Sequence, residues 1–200
     1  MVKTKLNLME KLTGLNKIKT AVFISGTGSN FKNLIKFSKI KKSPISINLV
    51  ISNTHKAKGL RYTDQTNIKK KIFNFKDIKG VEKKILTLLK KEKIHFICLA
   101  GFMKILSHNF IKKFNGKIIN IHPSLLPKYK GLNTHFRALA NKNKFAGCTV
   151  HYVTEKLDSG KIIMQKKIKV TAKDNPTSLA KKVLLQEHKL YPAAILKIFN

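Results

Sequence analysis

Hydrophobic and polar positions alternate in blocks that set out the architecture before any motif is considered. TAVFIS (20–25) is a short apolar run that stops at GTGSN. From about Asn30 to Ser38 the apolar residues Phe31, Leu34, Ile35 and Phe37 recur at helical spacing. ISINLVIS (45–52) reads as a second strand. VEKKILTLLKK (81–91) places Val81, Ile85, Leu88 and Leu89 on one helical face, with lysines mostly on the other. IHFICLA (94–100) and GKIINI (116–121) are continuous apolar runs, as a strand covered on both sides requires. Strands alternating with helices predict a parallel sheet with helical crossovers. Beyond Gly147 the pattern changes. CTVHYVT (148–154) and KIIMQKKIKV (161–170) read as two strands joined by EKLDSG, an antiparallel extension of the sheet. NPTSLAKKVLLQEHKLYPAAILKIF (175–199) closes the chain as a helix expected to break at Pro192. The fold class expected is α/β: a Rossmann-like, mostly parallel sheet with helices on both faces and an antiparallel C-terminal extension.

Two hundred residues suffice for one sizeable core. The expected division is an N-terminal extension, 1–18, and a single domain, 19–200. No apolar run approaches the roughly 18 residues of a membrane span. The opening MVKTKLNLMEKLTGLNK lacks the apolar stretch and cleavage site of a secretory signal, so a cytoplasmic protein is expected. Cys98 and Cys148 are the only cysteines, which fits a reducing compartment rather than a disulfide framework. Net charge is +33, from 42 basic against 9 acidic residues. Such an excess ordinarily points to nucleic acid or an anionic membrane. Here the lysines are spread along the whole chain, and only Arg61 and Arg137 carry the planar fork that nucleic-acid readers favour. The charge is read as a solvated lysine coat that draws small anionic substrates, with neither nucleic acid nor membrane as partner.

Four loops fall at or near strand ends, where open α/β sheets bind ligands. Ser25-Gly26-Thr27-Gly28-Ser29-Asn30 runs into a helix and suits a phosphate. It lacks the third glycine of a dinucleotide loop, and it also reads as a tight turn with Ser29 or Asn30 as N-cap. AGFMKIL (100–106) offers apolar side chains to a flat ring, although packing explains it as well. Asn120 and His122 lie two apart on one strand and so share a face. An amide can stabilise an oxyanion and an imidazole can move a proton. Asp158 lies in a glycine-containing loop and could support an imidazolium, or it is an exposed turn residue. Glu187 is a further candidate, its spacing alone favouring a solvated helix face. No His, Cys and acid cluster shows metal-ligand spacing, so no metal is expected.

Together, FISGTGSNFKNLI, LAGFMKIL, INIHPSLLPKYKGLNTH, GCTVHYVTEKLDSGKII and QEHKLYP resemble the phosphoribosylglycinamide formyltransferases, folate enzymes of purine biosynthesis. The resemblance runs from about residue 20 to 195. It implies the formyltransferase fold and formyl transfer from 10-formyltetrahydrofolate, a co-substrate, to glycinamide ribonucleotide. Asn120, His122 and Asp158 then fall at catalytic positions. Gly28, Ser29 and Asn30 fall on the ribonucleotide phosphate loop, and Glu187 on a contact to the glycinamide end. Met103, Lys104, Ile105 and Leu106, with Asn120, fall on the folate site, and His135 near the reacting groups. By the same resemblance, protonated His122 would donate to the oxyanion and Asp158 would keep it charged. Lys104 stands where arginine is common, Asn133 where histidine is frequent, and Ser159 replaces the first of two glycines. A monomer or homodimer is expected. Related possibilities are a formyltetrahydrofolate deformylase or a methionyl-tRNA formyltransferase. The first would carry an extra N-terminal domain and the second a C-terminal one, and the expectation from chain length is that both are lacking. The non-enzyme alternative is a basic nucleic-acid-binding module.

Overall fold

The computed structural model describes residues 17–199. Most of the extension expected over 1–18 therefore lies outside the described residues, and strand β1 begins at Ile18. The chain divides into two compact units, one ending at Ile118 and taking in Phe199, the other running Ile119–Ile198. Seven strands are ordered β3-β2-β1-β4-β5-β6-β7 in one sheet.

The first unit is built on parallel strands. β1 (Ile18–Ile24) lies between β2 (Ile45–Ser52) and β4 (Phe96–Leu99), parallel to both. Ala21, Val22, Phe23 and Ile24 are all fully buried, so both faces of the central strand are covered. Helix α1 (Ser29–Lys39) buries the predicted Phe31, Leu34, Ile35 and Phe37. Helix α2 (Ile78–Lys91) starts earlier than the apolar spacing suggests, because the Asp77 carboxylate accepts the Gly80 N–H and caps it. Phe102 packs edge-on against both Phe23 and Phe75. Cys98 is buried and outside any disulfide, as its apolar run indicates.

Three elements of this unit have little apolar signature. A 3₁₀ turn spans Lys58–Thr63 and a short helix α3 spans His108–Lys113. Strand β3 (Lys69–Ile72) reads KKKI and pairs parallel to β2 at the sheet edge. Its backbone completes the ladder while its lysines point to solvent, Lys69 to Glu92 at 2.8 Å and Lys70 to Asp64 at 2.9 Å. Charged side chains on an edge strand discourage pairing with other chains.

The second unit contains the antiparallel extension. β5 (Lys117–His122) pairs with β6 (Phe145–Tyr152), and β6 with β7 (Ile162–Lys169), all antiparallel. A short helix α4 (Thr134–Ala140) precedes β6. Helix α5 runs unbroken over Pro176–Phe199 and contains Pro192, so the expected break is absent. Proline there removes one backbone donor. The flanking turns are fixed by burial of Leu190, Tyr191, Ala194 and Ile195, and tertiary packing outweighs that local cost. No described helix is long and apolar enough to cross a membrane.

Gly28 and Gly59 make a steric demand on each other. Gly28 caps α1 in the left-handed region, φ 72°, with its backbone against Gly59. A Cβ on Gly28 would stand 2.6 Å from the Gly59 Cα, and one on Gly59 would stand 2.8 Å from the Gly28 Cα. Gly59→Ala is expected to lower unfolding free energy by about 1–3 kcal/mol through overpacking. Gly26→Ala, whose Cβ meets nothing within 4 Å, should change it by less than about 1 kcal/mol. Urea denaturation of the two variants checks the contrast.

Candidate active site

In the second unit, one carboxylate organises the surroundings. Asp158 has left-handed backbone, φ 46°, which Asp tolerates better than most residues. Its side chain is only 7% exposed, so it is not the solvated turn residue that spacing alone allows. Oδ2 accepts the Gly131 N–H at 2.9 Å and lies 3.4 Å from His122 Nδ1. Oδ1 lies 3.6 Å from His151 Nε2. Burial raises the Asp158 pKa, but His151, the Gly131 N–H and His122 outweigh it, and the carboxyl sits below its ordinary value.

His122 ends β5 and is buried. Its Nε2–H donates to the Tyr129 carbonyl at 2.9 Å, since a carbonyl can only accept. Nδ1 therefore faces the carboxylate. Burial pushes the His122 pKa down, and the Tyr129 carbonyl and Asp158 only partly restore it. The net direction is below the ordinary histidine value, because desolvation outweighs the pull of the Asp158 carboxylate.

Tyr129 is a bulky residue at φ 57°, a strained position, and its strained carbonyl is the one that holds His122. The preceding loop is pinned from β6 and β7. Thr149 Oγ1 donates to the Ser124 carbonyl at 2.6 Å and accepts the Leu126 N–H at 3.1 Å. Gln165 Nε2 donates to the Leu126 carbonyl at 2.8 Å. Buried polar groups satisfied in this way fix one geometry.

Asn120 stands opposite His151 in the β5–β6 ladder. Its Nδ2 donates to His151 Nε2 at 3.2 Å, while His151 Nδ1–H donates to the Tyr152 carbonyl at 2.8 Å. The register of β6 against β7 shifts between Val150 and His151, a local irregularity of the kind that re-aims a side chain. Asn120, His122 and Asp158 are thus brought together, and His151 joins them. Sequence reasoning missed His151, because only the strand register places it opposite Asn120. His135, in α4, has its pKa lowered by burial and by the nearby His122. Glu187 is buried on α5 rather than solvated, as packing of that helix turns it inward. Its charge adds to the burial that pushes the Cys148 thiol up to about 12.

The remaining predicted residues lie in the first unit. Gly28, Ser29 and Asn30 form the start of α1, whose first turn carries no acid. The N-cap is Gly28 rather than Ser29 or Asn30, because the close approach to Gly59 and the left-handed backbone admit only glycine. A helix N-terminus free of acids favours an anion through its N–H groups and dipole. In the segment 103–106, Met103 and Ile105 are 60% and 65% exposed and Lys104 is exposed, whereas Leu106 is buried. Two exposed apolar side chains on a fixed backbone suit a flat ring.

Residues 18–195 match the family model described as formyl transferase. The chain is 43% identical to the trifunctional purine biosynthetic protein adenosine-3 of Homo sapiens over 90% of its own length. It spans 18% of that relative, under a fifth of its length. It is 38% identical to phosphoribosylglycinamide formyltransferase of Escherichia coli strain K12, covering 87% of this chain and 84% of that one. The crystal structure of phosphoribosylglycinamide formyltransferase from Brucella melitensis superposes with a TM-score of 0.87 at 42% identity, covering 92% of this chain and 96% of that one.

The lowered pKa values fix the sign of a pH dependence. A histidine held neutral in the fold contributes stability above its unfolded pKa, about 6.5, which is lost as pH falls towards the folded value. Asp158 contributes above its ordinary value, about 3.8, and that contribution is lost below it. Unfolding free energy from urea titrations should therefore fall between pH 7 and 5, and again below about pH 4. His122→Gln and His135→Gln should each flatten the first decline and Asp158→Asn the second. Stability that is level from pH 7 to 5 would contradict the assigned directions.

Proposed function

Because the chain belongs to the formyl transferase family, we propose that it moves the formyl group of 10-formyltetrahydrofolate to the terminal amine of glycinamide ribonucleotide. The observation that carries this reading is the closed set of Asn120, His122, His151 and Asp158, an amide and two imidazoles around one buried carboxylate. The family match over 18–195 also supports reading residues 19–200 as one formyltransferase domain.

The amine attacks the formyl carbon, and a tetrahedral oxyanion forms. Asn120 uses one N–H on His151 and keeps the other for that oxygen. Neutral His122 has its Nε2–H committed to Tyr129, so Nδ1 is the base. In the resting state this lone pair faces the Asp158 carboxylate, an unfavourable contact. A proton taken from the attacking amine converts it into an ion pair. The role of Asp158 is thus to stabilise the imidazolium formed during the reaction, not to hold one beforehand. The same proton passes to the folate N10 as the carbon–N10 bond breaks, and the new carbon–nitrogen bond to the glycinamide amine remains. The loop at Gly28, Ser29 and Asn30 would take the substrate phosphate, and buried Glu187 would contact the glycinamide end. Met103, Lys104, Ile105 and Leu106 would take part in folate binding, Asn120 would do so as well, and the lysine-rich surface would draw both anions.

Mixing the protein with both substrates and following folate absorbance tests the reading. Asn120→Ala, His122→Ala and Asp158→Ala should each lower kcat about 10²–10⁴-fold. Absorbance change without glycinamide ribonucleotide would indicate hydrolysis of the donor instead. Salt-dependent DNA binding without any formyl transfer would favour the nucleic-acid module.

A further inference from the structure

The segment that carries Met103, Lys104 and Ile105 is exposed, yet it is held at both ends by side chains from other elements. At its start, the Ser25 hydroxyl accepts the Met103 N–H at 2.7 Å. The single hydroxyl proton goes to Asn53 Oδ1, at 2.5 Å. One side chain thus joins the loops that follow β1, β2 and β4. The Ser25 N–H also donates to the Gly101 carbonyl at 3.1 Å, so backbone and side chain both bind this turn. At the other end, Glu82 is 4% exposed on α2, on a face where the spacing calls for an apolar residue. Its carboxylate accepts from the Ser107 N–H at 2.8 Å and from the Ser107 hydroxyl at 2.5 Å. Ser107 in turn caps α3 by accepting the Phe110 N–H at 3.1 Å. A buried carboxylate carries a desolvation cost, and two hydrogen bonds to one residue are what it receives in return.

We propose that Ser25 and Glu82 are positioning residues that hold segment 103–106 taut in its folate-binding pose. The inference rests on the reading that this segment lines the folate site. It adds that the pose is set from outside the segment, by a hydroxyl at one end and a carboxylate at the other. The phosphate-binding residues proposed at Gly28, Ser29 and Asn30 do not share this dependence. Gly59 N–H donates to the Gly26 carbonyl at 3.0 Å, and the Gly28–Gly59 contact braces the loop independently of the Ser25 side chain. Loosening the segment therefore separates the two substrates.

In Ser25→Ala, the KM for 10-formyltetrahydrofolate is expected to rise about tenfold, the equivalent of one lost hydrogen bond. The KM for glycinamide ribonucleotide should stay within about twofold. Ser25→Thr retains the hydroxyl and should restore most of the folate KM. Asn53→Ala, which removes the acceptor that orients that hydroxyl, should shift the same constant in the same direction. Glu82→Ala should raise the folate KM selectively, and Glu82→Gln, which can still accept from the Ser107 N–H, should recover it. Ser25 is partly exposed, so its variant tests the proposal even if Glu82→Ala does not fold. Calorimetric binding of folate alone gives a readout independent of turnover. A folate KM and affinity unchanged in Ser25→Ala, or a parallel rise for both substrates, overturns the proposal while leaving the activity intact. A wild-type protein that neither transfers formyl groups nor binds folate would remove the functional reading and this inference with it.

Discussion

A buried carboxylate in a chain with so few acids is the constraint from which the candidate site follows. Asp158 is held by one backbone N–H and approached by two imidazoles. Each of those imidazoles is fixed by a second bond, His122 to the Tyr129 carbonyl and His151 to the Tyr152 carbonyl. With both rings oriented from behind, their remaining nitrogens have no choice but to face the acid or the amide. The tautomers are set by those two carbonyls, so Nδ1 of His122 and Nε2 of His151 are left on the side of Asp158, whose one backbone donor is the Gly131 N–H.

Charge state follows from the same burial. Removing His122 from water disfavours its cation more than one carboxylate at 3.4 Å favours it. On the proposed reading, the pair is a base beside an anion, which becomes an ion pair when a proton arrives. Preorganisation of this kind places the electrostatic gain at the step where charge develops rather than in the resting protein.

Much of the fold is legible in the residues because the first unit is built from runs that permit only one reading. AVFI between a lysine-flanked start and a glycine turn can only be a strand covered on both faces, and Phe31, Leu34 and Ile35 mark one helical face. β3 and α3 were not legible, because an edge strand of lysines and a single helical turn bury too little apolar surface to leave a period. Pro192 misleads because local backbone chemistry argues for a break, while the buried side chains on either side keep the helix continuous. In the candidate site, Asn120, His122 and Asp158 stand out by residue type and by resemblance. His151 does not, since its partnership with Asn120 exists only through strand pairing. The protonation state of His122 was not legible either: it depends on how much water burial removes, a quantity that no spacing encodes.

Both outer strands of the sheet carry lysines, Lys69 to Lys71 on β3 and Lys166, Lys167 and Lys169 on β7. Open backbone at such borders is an invitation to stack, molecule upon molecule. Two copies meeting border to border must first bring like charges together in a chain already carrying +33. At physiological ionic strength that repulsion reaches only about 8 Å, and it shrinks to about 3 Å in molar salt. The protein's colloidal behaviour is therefore tied to its ionic surroundings, and the guard at each border is as strong as the counterions allow.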